Sequence, residues 1–520
     1  MTGLNATAAQ TSTFALEDSF ASRSKFKKGH GVFGKHLYMY LAVVILCIVA
    51  PMSYYGLKVF YFRYAEWHEP VIELVEAPEG IGGNRRAIRF KVVDRHSGIA
   101  NVKVSIAGRE GEPLRDLASE DMRGSGPIVW SKEYEVGLPS AEDPLPTGNV
   151  QINIFAQDRS LWGNTAHYSK TMLVDYDPPK LRLLTPWLSL PKGGSALVLY
   201  EVADESRVFT GLQLNDRIFP GFKARLFDRD FDVAGGVYMT FVPLPLDMEN
   251  GSEPMVLTVF ARDEVGNRNE IQVPLKIGAQ VGLGKRRLDW TNAKGKIQRA
   301  FELYMGDERG VLERRRSVPQ QPTFSEMLSF VFDDYMPLAR ERLRESSPAP
   351  LETKLWENRF YFAPVHEPLY GFGDSIDYVV GQESFKVNAE ESTFFRSDSI
   401  ENVTAANNGV VVFAGPLEPF GKTVVIDHGF GISTLYSGLS DIKVSAGTRI
   451  PQGGLLGQTG SSGLAPYGGV EFELHIHGVP TDPMPWVNRE WLRDSVLNVL
   501  DQAKLSLGIR STSSTRRVIR

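Results

Sequence analysis

Val403-Thr404-Ala405-Ala406-Asn407-Asn408-Gly409-Val410-Val411-Val412-Phe413-Ala414-Gly415 is followed by Phe420-Gly421-Lys422-Thr423-Val424-Val425-Ile426-Asp427-His428-Gly429 and then by Leu435-Tyr436. Short apolar runs, Val410 to Phe413 and Thr423 to Ile426, alternate here with Gly and Asn, which supply positive φ at turns. That rhythm predicts an antiparallel sheet domain. It continues through Lys443-Val444-Ser445-Ala446-Gly447 and Gly457-Gln458-Thr459-Gly460, and closes at Gly478-Val479-Pro480-Thr481-Asp482-Pro483.

On these motifs the stretch from Val403 to Val487 resembles the LytM/lysostaphin-type zinc metalloendopeptidase family, peptidoglycan endopeptidases with a duplicated hybrid motif domain. The resemblance implies zinc held by a His, by an Asp four residues later, and by the second His of a late His-x-His pair. A further His, two positions after the Tyr of the Leu-Tyr pair, would help activate the bound water. Laid on that pattern, Glu390 and Phe394 fall near the first two ligand positions, Gly438 falls where the His after Tyr436 belongs, and Gly469-Val470-Glu471 replaces His-x-His. No His lies between His366 and His428, so sliding the alignment restores no ligand. A hydrolytic site needs about three protein ligands and an open coordination position. The domain therefore reads as a pseudoenzyme with no catalytic residue, no metal and no cofactor, and with Tyr436, Gly438, Gly469, Glu471 and Glu390 lining its cleft.

His475-Ile476-His477 is a true His-x-His, but it sits six residues beyond the family position, roughly 20 Å along an extended strand. The reading taken is of partly exposed imidazoles at the end of a hairpin. The rival is an active zinc endopeptidase using Glu471, His475 and His477, which share strand parity but need a sharp bend to meet.

A chain of 520 residues suggests three or four domains, and its net charge of -5 gives no reason to expect nucleic acid. The single cysteine, Cys47, excludes an intrachain disulfide. It lies in Leu37 to Leu57, 21 positions without a charged residue, long enough to cross a bilayer. Arg23, Lys25, Lys27, Lys28 and Lys35 precede this run while Lys58 and Arg63 follow it, which places the N-terminus in the cytoplasm.

The expected organisation is mainly β and multidomain. A cytoplasmic tail (1–36) and a transmembrane helix (37–60) come first. Two modules resembling immunoglobulin-like β-sandwiches (69–176 and 177–279) follow, repeating a Phe-Ala-x-Asp element at Phe155 and Phe260, 105 residues apart. Their Asp94, Asp158, Asp204 and Asp263 read as turn-formers, with calcium as the alternative. A helical linker region (285–365) opens its second helix with the capping box Thr323-Phe324-Ser325-Glu326, and Pro337 should bend or break that helix. The LytM-type domain (366–490) and a C-terminal helix with a basic tail (491–520) complete the chain.

These expectations combine into a single-pass inner-membrane protein whose bulk is periplasmic. Its degenerate domain would regulate or scaffold peptidoglycan remodelling, with peptidoglycan or a cell-wall hydrolase such as an amidase as partner. The alternatives are the zinc endopeptidase above and a structural or adhesive envelope protein.

Overall fold

The computed structural model describes residues 32–63, 66–124, 127–232, 236–246, 256–282, 284–306, 319, 321–346, 349–361 and 367–509. Residues 1–31 of the expected cytoplasmic tail (1–36) and residues 510–520 of the basic tail lie outside them, and residues 32–36 already belong to the helix.

Val32–Arg63 forms one helix with Pro51 inside it, and its stretch Tyr38–Tyr61 is apolar and exposed. At about 1.5 Å per residue such a stretch exceeds the roughly 30 Å hydrocarbon core of a bilayer.

Two β-sandwiches follow. In the first, the sheet Val71–Glu76, Ala87–Val93, Ser131–Gly137 faces a five-stranded sheet running Gly80–Ile81, Thr165–Val174, Gly148–Asp158, Ile99–Ala107, Pro113–Asp121. Strand alternation sends Ile88, Phe90 and Val92 of one sheet and Ile152, Ile154 and Ala156 of the other into a shared core. The Asp residues close turns: Asp94 Oδ1 accepts from the amides of His96, Ser97 and Gly98, and Asp263 Oδ1 from those of Gly266 and Asn267.

The second sandwich differs in one respect that matters for the site. Its central strands Ser195–Ala203 and Val237–Pro243 are apolar on both faces, and every residue of Val237–Pro243 is buried. Val198, Tyr200, Tyr238 and Val242 fill the sandwich. Leu197, Leu199, Met239 and Phe241 face outward into a second core with Trp356, Phe360 and Trp486 of the C-terminal region. A continuous apolar run in place of alternation is what a strand covered on both faces requires.

The region expected as a helical linker contains more than helices. Lys285–Asp289 is a strand, parallel to Ser375–Val380, which pairs antiparallel with Glu383–Val387. The helix Ala293–Gly306 packs on this sheet. Thr323 caps the next helix through the reciprocal bonds of a capping box. Of the two outcomes expected at Pro337, a bend or a break, the helix is not broken. Phe330–Tyr335 widens to π-helical geometry and Met336–Ser346 continues as α-helix. The proline lacks an amide and its ring crowds the carbonyl four residues back, and a wider turn just before it absorbs both effects.

The C-terminal domain is an antiparallel sheet in the order Thr393–Arg396, Gly469–Ile476, Ile432–Leu439, Gly421–Gly429, Gly409–Leu417, Arg449–Ile450. Val479–Thr481 also pairs with Gly469–Ile476, along its later half. Gly429 illustrates why its turns need glycine: φ is +91° and a Cβ would lie 1.8 Å from the Thr353 carbonyl oxygen. Helical turns from Arg489 to Ser506 lie against the second sandwich. There the buried Lys504 Nζ stands 2.5 Å from Asp228 and 2.9 Å from Asp230.

Candidate functional site

Strand register builds the site. Phe394 stands opposite Glu471, and Glu471 stands opposite Ser437 on the next strand. Directly opposed residues share a face, and alternation along Gly469–Ile476 adds Glu473 and His475 to it.

Ser392 Oγ lies 2.7 Å from Glu471 Oε1 and 3.2 Å from Glu390 Oε1, and Ser437 Oγ lies 3.3 Å from Glu471 Oε2. A serine has one proton to donate, so the Ser392 hydroxyl cannot satisfy both carboxylates. Burial pushes Glu390 up to about 8, with the charge of Glu471 adding to it. Burial raises Glu471 as well, followed by the charge of Glu473. The pair therefore retains a proton near neutral pH. Phe394 is fully buried beside it, its ring stacked on Tyr370 at 5.5 Å.

Arg340, on the helix Met336–Ser346, reaches over this face. Its guanidinium stands 2.7 Å from Glu391 and 3.1 Å from Glu473, and 5.3 Å from the Phe420 ring centre. Burial alone would raise Glu473, but Arg340 and then His475, whose Nε2 is 2.6 Å away, hold it down to about 2. Leu343 of the same helix packs on Val425 and Leu435, so the helix lies across the sheet. Beside it remains a cavity of about 410 Å³ whose walls include Arg344, Val412, Asp427, Ser433, His475 and His477.

Zinc does not fit this donor set. The ring of Phe394 offers no lone pair, and Glu390 and Glu471 are bridged through the Ser392 hydroxyl. Among the described residues, acidic and imidazole groups within 4.8 Å of one another gather at Glu66, with Asp94 and Asp158 or with His68 and His96, in the first sandwich.

Within the histidine pair, His475 departs from the expected partly exposed imidazoles, while His477 is half-buried. His475 is 6% exposed and bonded to Glu473. His477 leaves the strand at φ +51°, with Nε2 3.1 Å from Thr240 Oγ1 and its ring stacked on Phe222 of the second sandwich. Burial lowers it to about 4. The two rings answer to different partners, so Glu471, His475 and His477 do not converge as the endopeptidase alternative needs. His428 is structural: Nδ1 meets Asn408 O at 2.7 Å and Nε2 meets Thr434 Oγ1 at 2.8 Å.

Of the residues expected to line the cleft, Glu390 and Glu471 come together as described. Tyr436 instead turns to the opposite face, where its ring meets Phe472 and its hydroxyl accepts from the Ala406 amide at 2.7 Å. Gly438 holds φ +77°. Gly469 is closed against Gly460 by two backbone bonds. Sequence reasoning missed Arg340, Ser392, Ser437 and Glu473. The alternation Glu471, Glu473, His475 within an otherwise apolar strand was the available signal of a polar row.

Residues 389–483 match the model of Peptidase family M23. The chain thus carries a LytM-type domain of that family in degenerate form. It is 30% identical over 129 residues to the murein hydrolase activator EnvC of Escherichia coli K12, covering 25% of this chain and 29% of EnvC. It is 33% identical over 82 residues to the DD-carboxypeptidase/endopeptidase Mpg of Neisseria meningitidis, covering 16% of this chain and 19% of Mpg. A solved peptidase M23 from Pseudomonas aeruginosa aligns at TM-score 0.32 and 16% identity, covering 58% of this chain and 95% of that one. The chain spans less than a third of the length of EnvC or Mpg.

Proposed function

We propose that this is a single-pass inner-membrane protein, N-terminus cytoplasmic and bulk periplasmic, whose LytM-type domain binds without hydrolysing and so regulates or scaffolds peptidoglycan remodelling. The observation that carries the reading is the site itself: a buried phenyl ring and two buried carboxyl groups bridged by Ser392 stand where the resemblance puts zinc ligands. Arg340 stands 2.7 Å from Glu391 and 3.1 Å from Glu473 and occupies the space over that face with a positive charge, where a bound cation would be repelled. The similarity to EnvC, a murein hydrolase activator, supports this role, with peptidoglycan or an amidase as partner. The helix Tyr38–Tyr61 supports the anchor.

The test uses the full chain, purified in detergent, equilibrated with zinc, dialysed and analysed for metal, then incubated with isolated peptidoglycan alone and with an added amidase. Well below one equivalent of zinc, no product from the chain alone, and several-fold faster release with the amidase are expected. One equivalent of zinc that disappears in His475→Ala/His477→Ala would sink the reading in favour of an endopeptidase.

A further inference from the structure

We infer that the membrane-proximal tip of the first sandwich docks, through Trp67, Leu161 and Trp162, onto the lipid interface of the membrane that the anchor crosses. This rests on the reading of Tyr38–Tyr61 as a membrane span. The helix ends at Arg63, so the Cα of Trp67 lies within about 14 Å of its last residue.

The exit from the helix is fastened to the sandwich. Ser97 donates its hydroxyl to Glu66 Oε1 at 2.6 Å. Asn164 Nδ2 donates to the carbonyl of Glu66 at 3.0 Å, to that of His68 at 3.3 Å and to Asp158 Oδ2 at 2.7 Å. The turn that carries Leu161 and Trp162 is therefore tied to Glu66 and His68, a few residues along the chain from the helix. Trp67 and Trp162 stack at 4.9 Å, yet they are 65% and 57% exposed, and Leu161, next to Trp162 in the chain, is 65% exposed.

A singly exposed apolar side chain needs no explanation. Two stacked indoles with a leucine, held by the chain within reach of a span, form a surface suited to the bilayer interface, where an apolar ring with one N–H edge is most stable. Arg123 and Arg159 line a hollow beside Trp162 and offer guanidinium groups to lipid phosphate. Continuity with the span selects the lipid over a protein partner.

The full chain is reconstituted into phosphatidylethanolamine/phosphatidylglycerol vesicles, with or without bromine on the upper acyl carbons. Failure to float with vesicles after an alkaline wash would overturn the anchor, and this inference with it. In chain that does float, brominated lipid is expected to quench the emission of two of the eight tryptophans, about a quarter of the signal. Trp67→Phe/Trp162→Phe, with an unchanged unfolding midpoint, should abolish that quenching. Anchored chain that shows no quenching, or a double variant quenched as strongly as the parent, overturns the docking while leaving the anchor intact. A Leu161→Cys variant that forms disulfide-linked dimers in the vesicles, with no quenching, would assign the patch to a second copy of the chain instead.

Discussion

Phe394 and Glu471 face each other across the antiparallel strands Thr393–Arg396 and Gly469–Ile476. An aromatic ring thus stands beside a carboxylate that takes its hydrogen bonds from Ser392 and Ser437. Phe394→Asp puts a third carboxylate into this buried space and removes the stack on Tyr370. It should cost at least about 3 kcal/mol and gain no zinc, as urea denaturation and metal analysis would show.

Glu390 sets a pH dependence. Its carboxyl is raised to about 8 in the folded chain against 4.5 unfolded, burial first and Glu471 second. Between those values the native state holds a proton that the unfolded chain releases, so stability falls as pH rises through that window. Glu390→Gln cannot ionise, and it should be more stable than the parent at pH 8.5 by about 1–3 kcal/mol, with little difference at pH 4. Parallel stability profiles for the two proteins would contradict a protonated Glu390.

Arg340→Met leaves Glu473 buried without its cation. The expected loss at neutral pH is about 3–5 kcal/mol. Glu473 is held down to about 2, so its stabilising share is present above 4.5 and lost as pH falls toward 2. The cost of Arg340→Met should therefore shrink in acid. Adding Glu473→Gln should recover part of it at pH 7.

Lys504 is 1% exposed between Asp228 and Asp230. Lys504→Met strands both carboxylates and should destabilise by about 3 kcal/mol. Hydrogen exchange should then quicken in Asn498–Ser506 before it does in the central sheet.

Much of the fold was legible because local rules carry it. Apolar alternation with Gly and Asn punctuation marked the C-terminal sheet, the 105-residue repeat marked two β-rich modules, and Thr323 with Glu326 marked a helix start. The strand Lys285–Asp289 was not legible, since Lys285-Arg286-Arg287 carries no apolar period and its partner lies 90 residues on at Ser375–Val380.

The sequence by itself determined that the family's ligand positions hold Glu390, Phe394 and Glu471, because residue identity at a motif position needs no coordinates. Only the tertiary structure decided what those residues do. It brought Glu390 to Glu471 through Ser392, laid Arg340 over Glu473 from a distant helix, and sent His475 and His477 to separate partners. Strand register and long-range packing set those meetings, and neither is encoded in the spacing of a short motif.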